Sequence, residues 1–251
     1  MDDQLTPGTE QPTPRVGTPP VDPALALVEA ARAVSPVLLR DADTAERESR
    51  LTHATAQALR EAGMFRLGVP KSLGGHELPV TGCVDVLAEI ALACPSSAWI
   101  VMLSYGAQQI AASFGDKARS DLWGESPDVP MCGVFSGAGA TAEPVEGGLL
   151  VSGRWPWASG CHHAEWGVLG VPRTRHGDSG PGGPGVALVP VGGLTTSATW
   201  DMAGMRGTGS DTLVADRVFV PYDRIRGFSD VMASGPGPAN RCTASRRDRS
   251  P

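Results

Sequence analysis

The sequence has no paired cysteines. Its five, Cys83, Cys94, Cys132, Cys161 and Cys242, are odd in number and widely spaced, and no C-x-x-C occurs. That excludes a disulfide framework and a zinc-ribbon signature, so no metal is expected, and a reducing, cytoplasmic location fits. No apolar run reaches the length that crosses a bilayer, so no membrane association is expected. The first 23 residues are acidic and Pro-rich, without the apolar stretch of a secretory signal. Nor does any folded segment concentrate positive charge, the formal net charge being −6. This argues against nucleic acid as a partner. The one basic stretch, Asn240–Pro251, sets four Arg against one Asp and reads as a solvated end.

What is present reads as a globular chain. Hydrophobic residues make up 41% and charged residues 19%, with 32 Gly and 22 Pro to supply turns. Residues 1–21, dense in Pro, read as a disordered leader. A helical domain is expected over residues 22–126. Its first helix spans about 24–40, capped by Asp22 and broken or kinked at Pro36. A second runs over 46–62, with Leu51, Thr55, Ala58, Leu59 and Ala62 on one face. A third, 81–93, offers Val84, Leu87, Ile90, Ala91 and Cys94. Ser96 or Ser97 then caps a fourth, 98–114, apolar almost all round, and a short fifth covers 116–123. Near Pro127 the period changes. Short apolar runs at 131–135, 148–153, 166–171, 185–191 and 212–220 read as strands of an antiparallel β-barrel or sandwich over residues 127–229. Helices first and strands second give an α+β class. Residues 230–251 show no periodicity and read as a disordered tail.

Two stretches could carry chemistry. The segment E-G-G-L-L-V-S-G-R-W-P-W-A-S-G-C-H-H-A-E-W at 146–166 puts Trp155 and Trp157 beside Ser159, Gly153 and Gly160. A flat redox ring needs such a wall: an indole to lie against it, a hydroxyl or backbone N–H for its polar edge, and glycine for close approach. The plainer alternative is a strand with core tryptophans and a turn at Ser159–Gly160. The second stretch, W-D-M-A-G-M-R-G-T-G-S at 200–210, could offer N–H and hydroxyl groups to a ribityl or phosphate group, or simply join two strands.

Taken in order, these stretches resemble the acyl-CoA dehydrogenase superfamily, and most closely its two-component flavin-dependent monooxygenase branch, the oxygenase components. G-M-F-R-L-G-V-P-K-S-L-G-G-H-E-L at 63–78, C-P-S-S-A-W at 94–99 and R-V-F-V-P at 217–221 add to the likeness. The resemblance implies a helical domain, a middle β domain and a C-terminal four-helix bundle, the last of which is expected to be missing from this sequence, and a homo-tetramer at full length. It implies reduced flavin (FMN or FAD) as cofactor, a flavin reductase as partner, and O2-dependent hydroxylation of an aromatic or polyketide-like substrate. It places Trp157, Ala158, Ser159, Gly160, Thr208 and Ser210 against the cofactor. Trp99 falls on a helix position that lines the substrate pocket, and Tyr105 stands near where monooxygenases often carry a His. The catalytic base is expected in the absent bundle. The alternatives are an FAD-dependent acyl-CoA dehydrogenase and a truncated, non-catalytic remnant.

Three further signals are set aside. Residues 137–142 fit G-x-G-x-x-A, but Glu143-Pro144 denies the helix that a dinucleotide fingerprint needs. Cys161-His162-His163 looks like a metal cluster, yet on a strand neighbouring side chains diverge. His76-Glu77 is not H-E-x-x-H, because Val80 stands where the second His would be.

Overall fold

The computed structural model describes residues 23–173 and 183–234. Asp22, the leader and residues 235–251, including the basic stretch, lie outside the described residues. Five helices come first: α1 (Pro23–Glu48), α2 (His53–Glu61), α3 (Val80–Ala93), α4 (Pro95–Ala111) and α5 (Asp116–Trp123). Eight strands follow: β1 (Met131–Val134), β2 (Ala140–Val145), β3 (Gly148–Trp155), β4 (Trp166–Arg173), β5 (Gly183–Pro190), β6 (Thr195–Ser197), β7 (Thr212–Pro221) and β8 (Ile225–Gly227). A last helix, α6 (Phe228–Ala233), follows. The α+β order is as expected, but residues 230–233 are helical, not part of a disordered tail.

The strands form two four-stranded sheets, β1-β4-β5-β8 and β2-β3-β7-β6, and no closed barrel. All pairings are antiparallel except β1 with β4. The first sheet is covered on both faces. Val168, Val186 and Leu188 face Ala107, Ala111, Phe114 and Trp123 of the helical layer. Their neighbours Leu169, Ala187 and Val189 face Leu149, Val151, Leu213 and Val220 of the second sheet. Burial on both sides explains why β4 and β5 read as continuous apolar runs rather than alternating ones. Trp155 seals the space between the sheets, its indole N–H donating to the Gly170 carbonyl at 2.8 Å.

Three helical expectations change. Pro36 does not end a helix; α1 runs through it for 26 residues. The helix ends instead at Glu48, so residues 46–48 belong to α1 and the second helix starts at His53, not at 46; Ser49 takes a left-handed φ of 52°, while the Arg50 N–H reaches back to the Ala45 carbonyl. Helix α4 starts at Pro95 with Cys94 as its cap residue, so neither Ser96 nor Ser97 caps it. The buried face of α3 is Cys83, Val86, Ile90 and Ala93, with Val84 exposed. Of the expected face, Ile90 and Cys94 are buried and Leu87 and Ala91 partly buried, so only Val84 departs from it, while Gly82 lies against Ala24 of α1.

Candidate functional site

The segment after β3 turns sharply. Trp155 is the last strand residue, Pro156 follows, and Trp157 adopts a left-handed φ of 62°. The expectation that Trp155 and Trp157 share a wall fails here for a physical reason: the strand ends between them. Trp155 is 1% exposed in the core, whereas Trp157 is 71% exposed on the rim of a cleft. Next, the Ala158 N–H donates to the Asp211 carbonyl and the Gly160 N–H to the Thr208 carbonyl, which bind this turn to the loop before β7. Gly160 has a φ of +76°, and a β-carbon on it would meet Ile100 of α4 at 2.9 Å.

The facing loop, residues 198–211, is held at two places by carboxylates. Asp211 accepts from the backbone N–H groups of Thr199 and Trp200 at 2.7 and 2.8 Å, and pairs with His162 Nε2 at 2.7 Å. Burial would raise its carboxyl pKa, but the two amides and then His162 outweigh that and hold it below its ordinary value. Glu46, near the end of α1, accepts from Ser96 Oγ, the Arg206 N–H and the Gly207 N–H at 3.0, 3.0 and 3.1 Å. It too stays below its ordinary value, these donors outweighing desolvation.

Between these ties lies a cleft of about 840 Å³. Trp99 and Leu103 of α4, Phe135, Trp157, Trp200, Met202 and Met205 form its apolar walls, and Ser159, Thr208 and Ser210 its polar one. Those hydroxyls form one chain: Ser159 Oγ lies 2.7 Å from Ser210 Oγ, which lies 2.7 Å from Thr208 Oγ1. The Trp99 indole N–H donates into Ser159 at 3.1 Å. No described residue lining the cleft carries a formal charge.

The structure therefore brings Trp99, Trp157, Ser159, Thr208 and Ser210 to one cleft, with Ala158 and Gly160 in the turn that presents Ser159. It does not bring Tyr105 there. Tyr105 lies on another face of α4, where its hydroxyl donates to the Leu78 carbonyl at 2.9 Å inside the helical core. Cys161-His162-His163 sits in the turn rather than on a strand. Burial pushes the Cys161 thiol up to about 12, His163 bonds to the Leu51 carbonyl, and no metal-holding group of three ligands exists among the described residues. Sequence reasoning passed over Glu46 and Asp211. A charged residue at the end of an amphipathic helix, or after a Gly-rich loop, carries no local sign that its partners lie 160 or 49 residues away.

The chain is similar to several known proteins. Residues 24–123 match the family model described as acyl-CoA dehydrogenase, N-terminal domain. The oxygenase subunit HsaA, a flavin-dependent monooxygenase of Rhodococcus jostii (strain RHA1), is 35% identical over 206 residues, covering 81% of this chain and 53% of that protein. The chain is thus similar to proteins of the acyl-CoA dehydrogenase superfamily. Within that superfamily, the oxygenase component of an FADH2-dependent resorcinol hydroxylase from a Rhizobium species is 33% identical, covering 87% of this chain and 53% of the relative. XiaF from a Streptomyces species, solved with FADH2 and glycerol, superposes with a TM-score of 0.78 at 32% identity, over 83% of this chain and 52% of that one. The chain thus spans about half the length of the superfamily relatives it matches. Among the described residues, no helix is long and apolar enough to cross a membrane.

Proposed function

We propose that the chain is the flavin-contacting part of an oxygenase component, one that hydroxylates an aromatic or polyketide-like substrate with reduced FMN or FAD and O2. The observation that carries this is the uncharged cleft in which an exposed indole, Trp157, stands beside the Trp99–Ser159–Ser210–Thr208 chain. A tricyclic redox ring fits such residues: flat apolar walls for its faces and hydroxyls for its one polar edge. When bound, reduced flavin supplies the two electrons that let O2 place one oxygen atom on the substrate and release the other as water. Trp157, Ala158, Ser159, Gly160, Thr208 and Ser210 would hold the ring, and Trp99 would border the substrate. The residues of this chain orient the ring and exclude water, since no lining side chain is a carboxylate, imidazole or amine. A separate flavin reductase is the expected partner, and the full-length protein is expected to form a tetramer.

Strain supports the reading. A tryptophan at φ 62° is held against its own preference, and such outliers cluster at functional sites. The test has two arms. Reduced FMN and FAD are titrated anaerobically into the purified chain, and hydroxylated product is then sought with NADH, a flavin reductase, O2 and a phenol. Binding of reduced flavin together with reductase-dependent product supports the reading. Bleaching of bound oxidised flavin by an acyl-CoA, with no reductase present, would move the assignment to an FAD-dependent dehydrogenase.

A further inference from the structure

The hydroxyl chain in the cleft has only one possible direction. The Trp99 indole nitrogen has a hydrogen and no lone pair, so it donates to Ser159 Oγ at 3.1 Å. At the far end the Met205 carbonyl has no hydrogen, so Thr208 Oγ1 donates to it at 2.8 Å. That commits the single hydroxyl hydrogen of Thr208. Ser210 must then donate to Thr208 across their 2.7 Å contact. Its own hydrogen committed, Ser210 must accept from Ser159 across the other 2.7 Å contact. The relay therefore runs from Trp99 through Ser159, Ser210 and Thr208 to Met205. The Met205 end alone fixes that direction, the Trp99 N–H being compatible with it, and each hydroxyl hydrogen is already used. What the three oxygens have left to offer a ligand is lone pairs.

We propose that this relay makes the polar wall an acceptor surface that selects aromatic ligands presenting an N–H or O–H, and that Thr208, anchored on the Met205 carbonyl, sets that polarity. The left-handed Met205, at φ 56°, turns its carbonyl to where Thr208 can reach it. For the cofactor the inference rests on the reading of the cleft given above. A reduced isoalloxazine carries N–H at the central-ring position where the oxidised ring carries a bare nitrogen. An acceptor wall therefore matches the reduced ring and faces the oxidised one with lone pair against lone pair.

The probes are indole and benzofuran, which share one shape and differ in having N–H or a bare oxygen. Binding is followed by ligand-observed NMR on the purified chain. One neutral hydrogen bond corresponds to roughly a 3- to 10-fold preference for indole. Thr208→Val keeps the shape but frees the Ser210 hydrogen, so the relay can reverse and Ser159 can donate into the cleft. The preference should then fall to about one or invert, while Thr208→Ser should keep it. Ser210→Ala breaks the relay at its middle and should act as Thr208→Val does, so the inference stays open to refutation if one variant fails to fold. Benzofuran binding the unmodified chain as tightly as indole, or a ratio that neither variant moves, overturns the inference. Anaerobic titration with reduced and oxidised FMN should show the same change in ratio. If the probe ratios behave as stated and neither form of FMN binds, the relay stands and the flavin reading fails.

Discussion

Trp157 concentrates the tension between stability and use at a single residue. A left-handed backbone at a bulky side chain costs on the order of 1 kcal/mol or more, and a side chain 71% exposed returns little packing to offset it. Trp157→Gly should therefore leave the fold as stable as before, or up to about 1 kcal/mol more stable, in denaturant unfolding. The same change should weaken reduced-flavin affinity roughly tenfold, the loss of one stacked indole. Unchanged affinity would remove Trp157 from the site. The residue types of this wall are legible in the sequence, since two tryptophans and a serine between glycines stand out in a chain with 5% aromatics. Which tryptophan faces the cleft is not, because alternation places residues 155 and 157 together. Only the turn at Pro156, a conformation carried by no glycine, sends them apart.

At the scale of elements, α1 does two tasks that local pattern conceals. Its Pro36 lies on the exposed face, where a helix curving around a core already has its longest hydrogen bonds. The buried face, Leu27, Ala31, Leu38 and Ala45, continues unbroken beneath it. Pattern reasoning breaks the helix at the proline because the cost is local, whereas the compensation is tertiary. Pro36→Ala should accordingly raise the melting temperature, by an amount corresponding to about 1–3 kcal/mol; a lower value would mean that the bend is needed for packing. The second task is the clamp at Glu46, which holds residues 206–207 from across the chain. Glu46→Ala strands three donors at a partly buried interface. It should cost about 2–3 kcal/mol and also lower affinity for indole, because Thr208 follows directly on the clamped turn. By contrast, the layer order was legible: the change of period near residue 127 and the twin runs of β4 and β5 each report burial on two faces. The brief strands β6 and β8, three residues each, are too short to show any period.

The whole molecule should lose stability in acid in two separate stages. His163 and His76 are both pushed below the ordinary histidine value of 6.5, first by burial. His76 also faces Arg66, whose Nε donates to it and so requires a neutral ring. Each therefore takes up a proton in the unfolded chain before it does so in the folded one. Their contribution is complete above pH 6.5 and is lost as pH falls through the folded values. The carboxylates act lower down. Asp41 is held at about 2, first by the Arg40 guanidinium and then by the Thr52 hydroxyl that begins α2, while Glu46 and Asp211 also lie below their ordinary values. Their share is complete above the ordinary carboxylate values of 3.8 and 4.5 and disappears as pH falls further. Melting temperature should therefore be flat above about pH 7, decline from about 6.5, and decline again below about 4.5. His76→Gln with His163→Gln should abolish the first decline and leave the second. Thermal unfolding of both proteins across that range is the check. A first decline that persists without the two imidazoles would assign it to other groups. Because Asp211 and Glu46 hold the cleft loop at residues 199–200 and 206–207, the second decline should coincide with loss of indole binding, whereas the first should leave that binding intact.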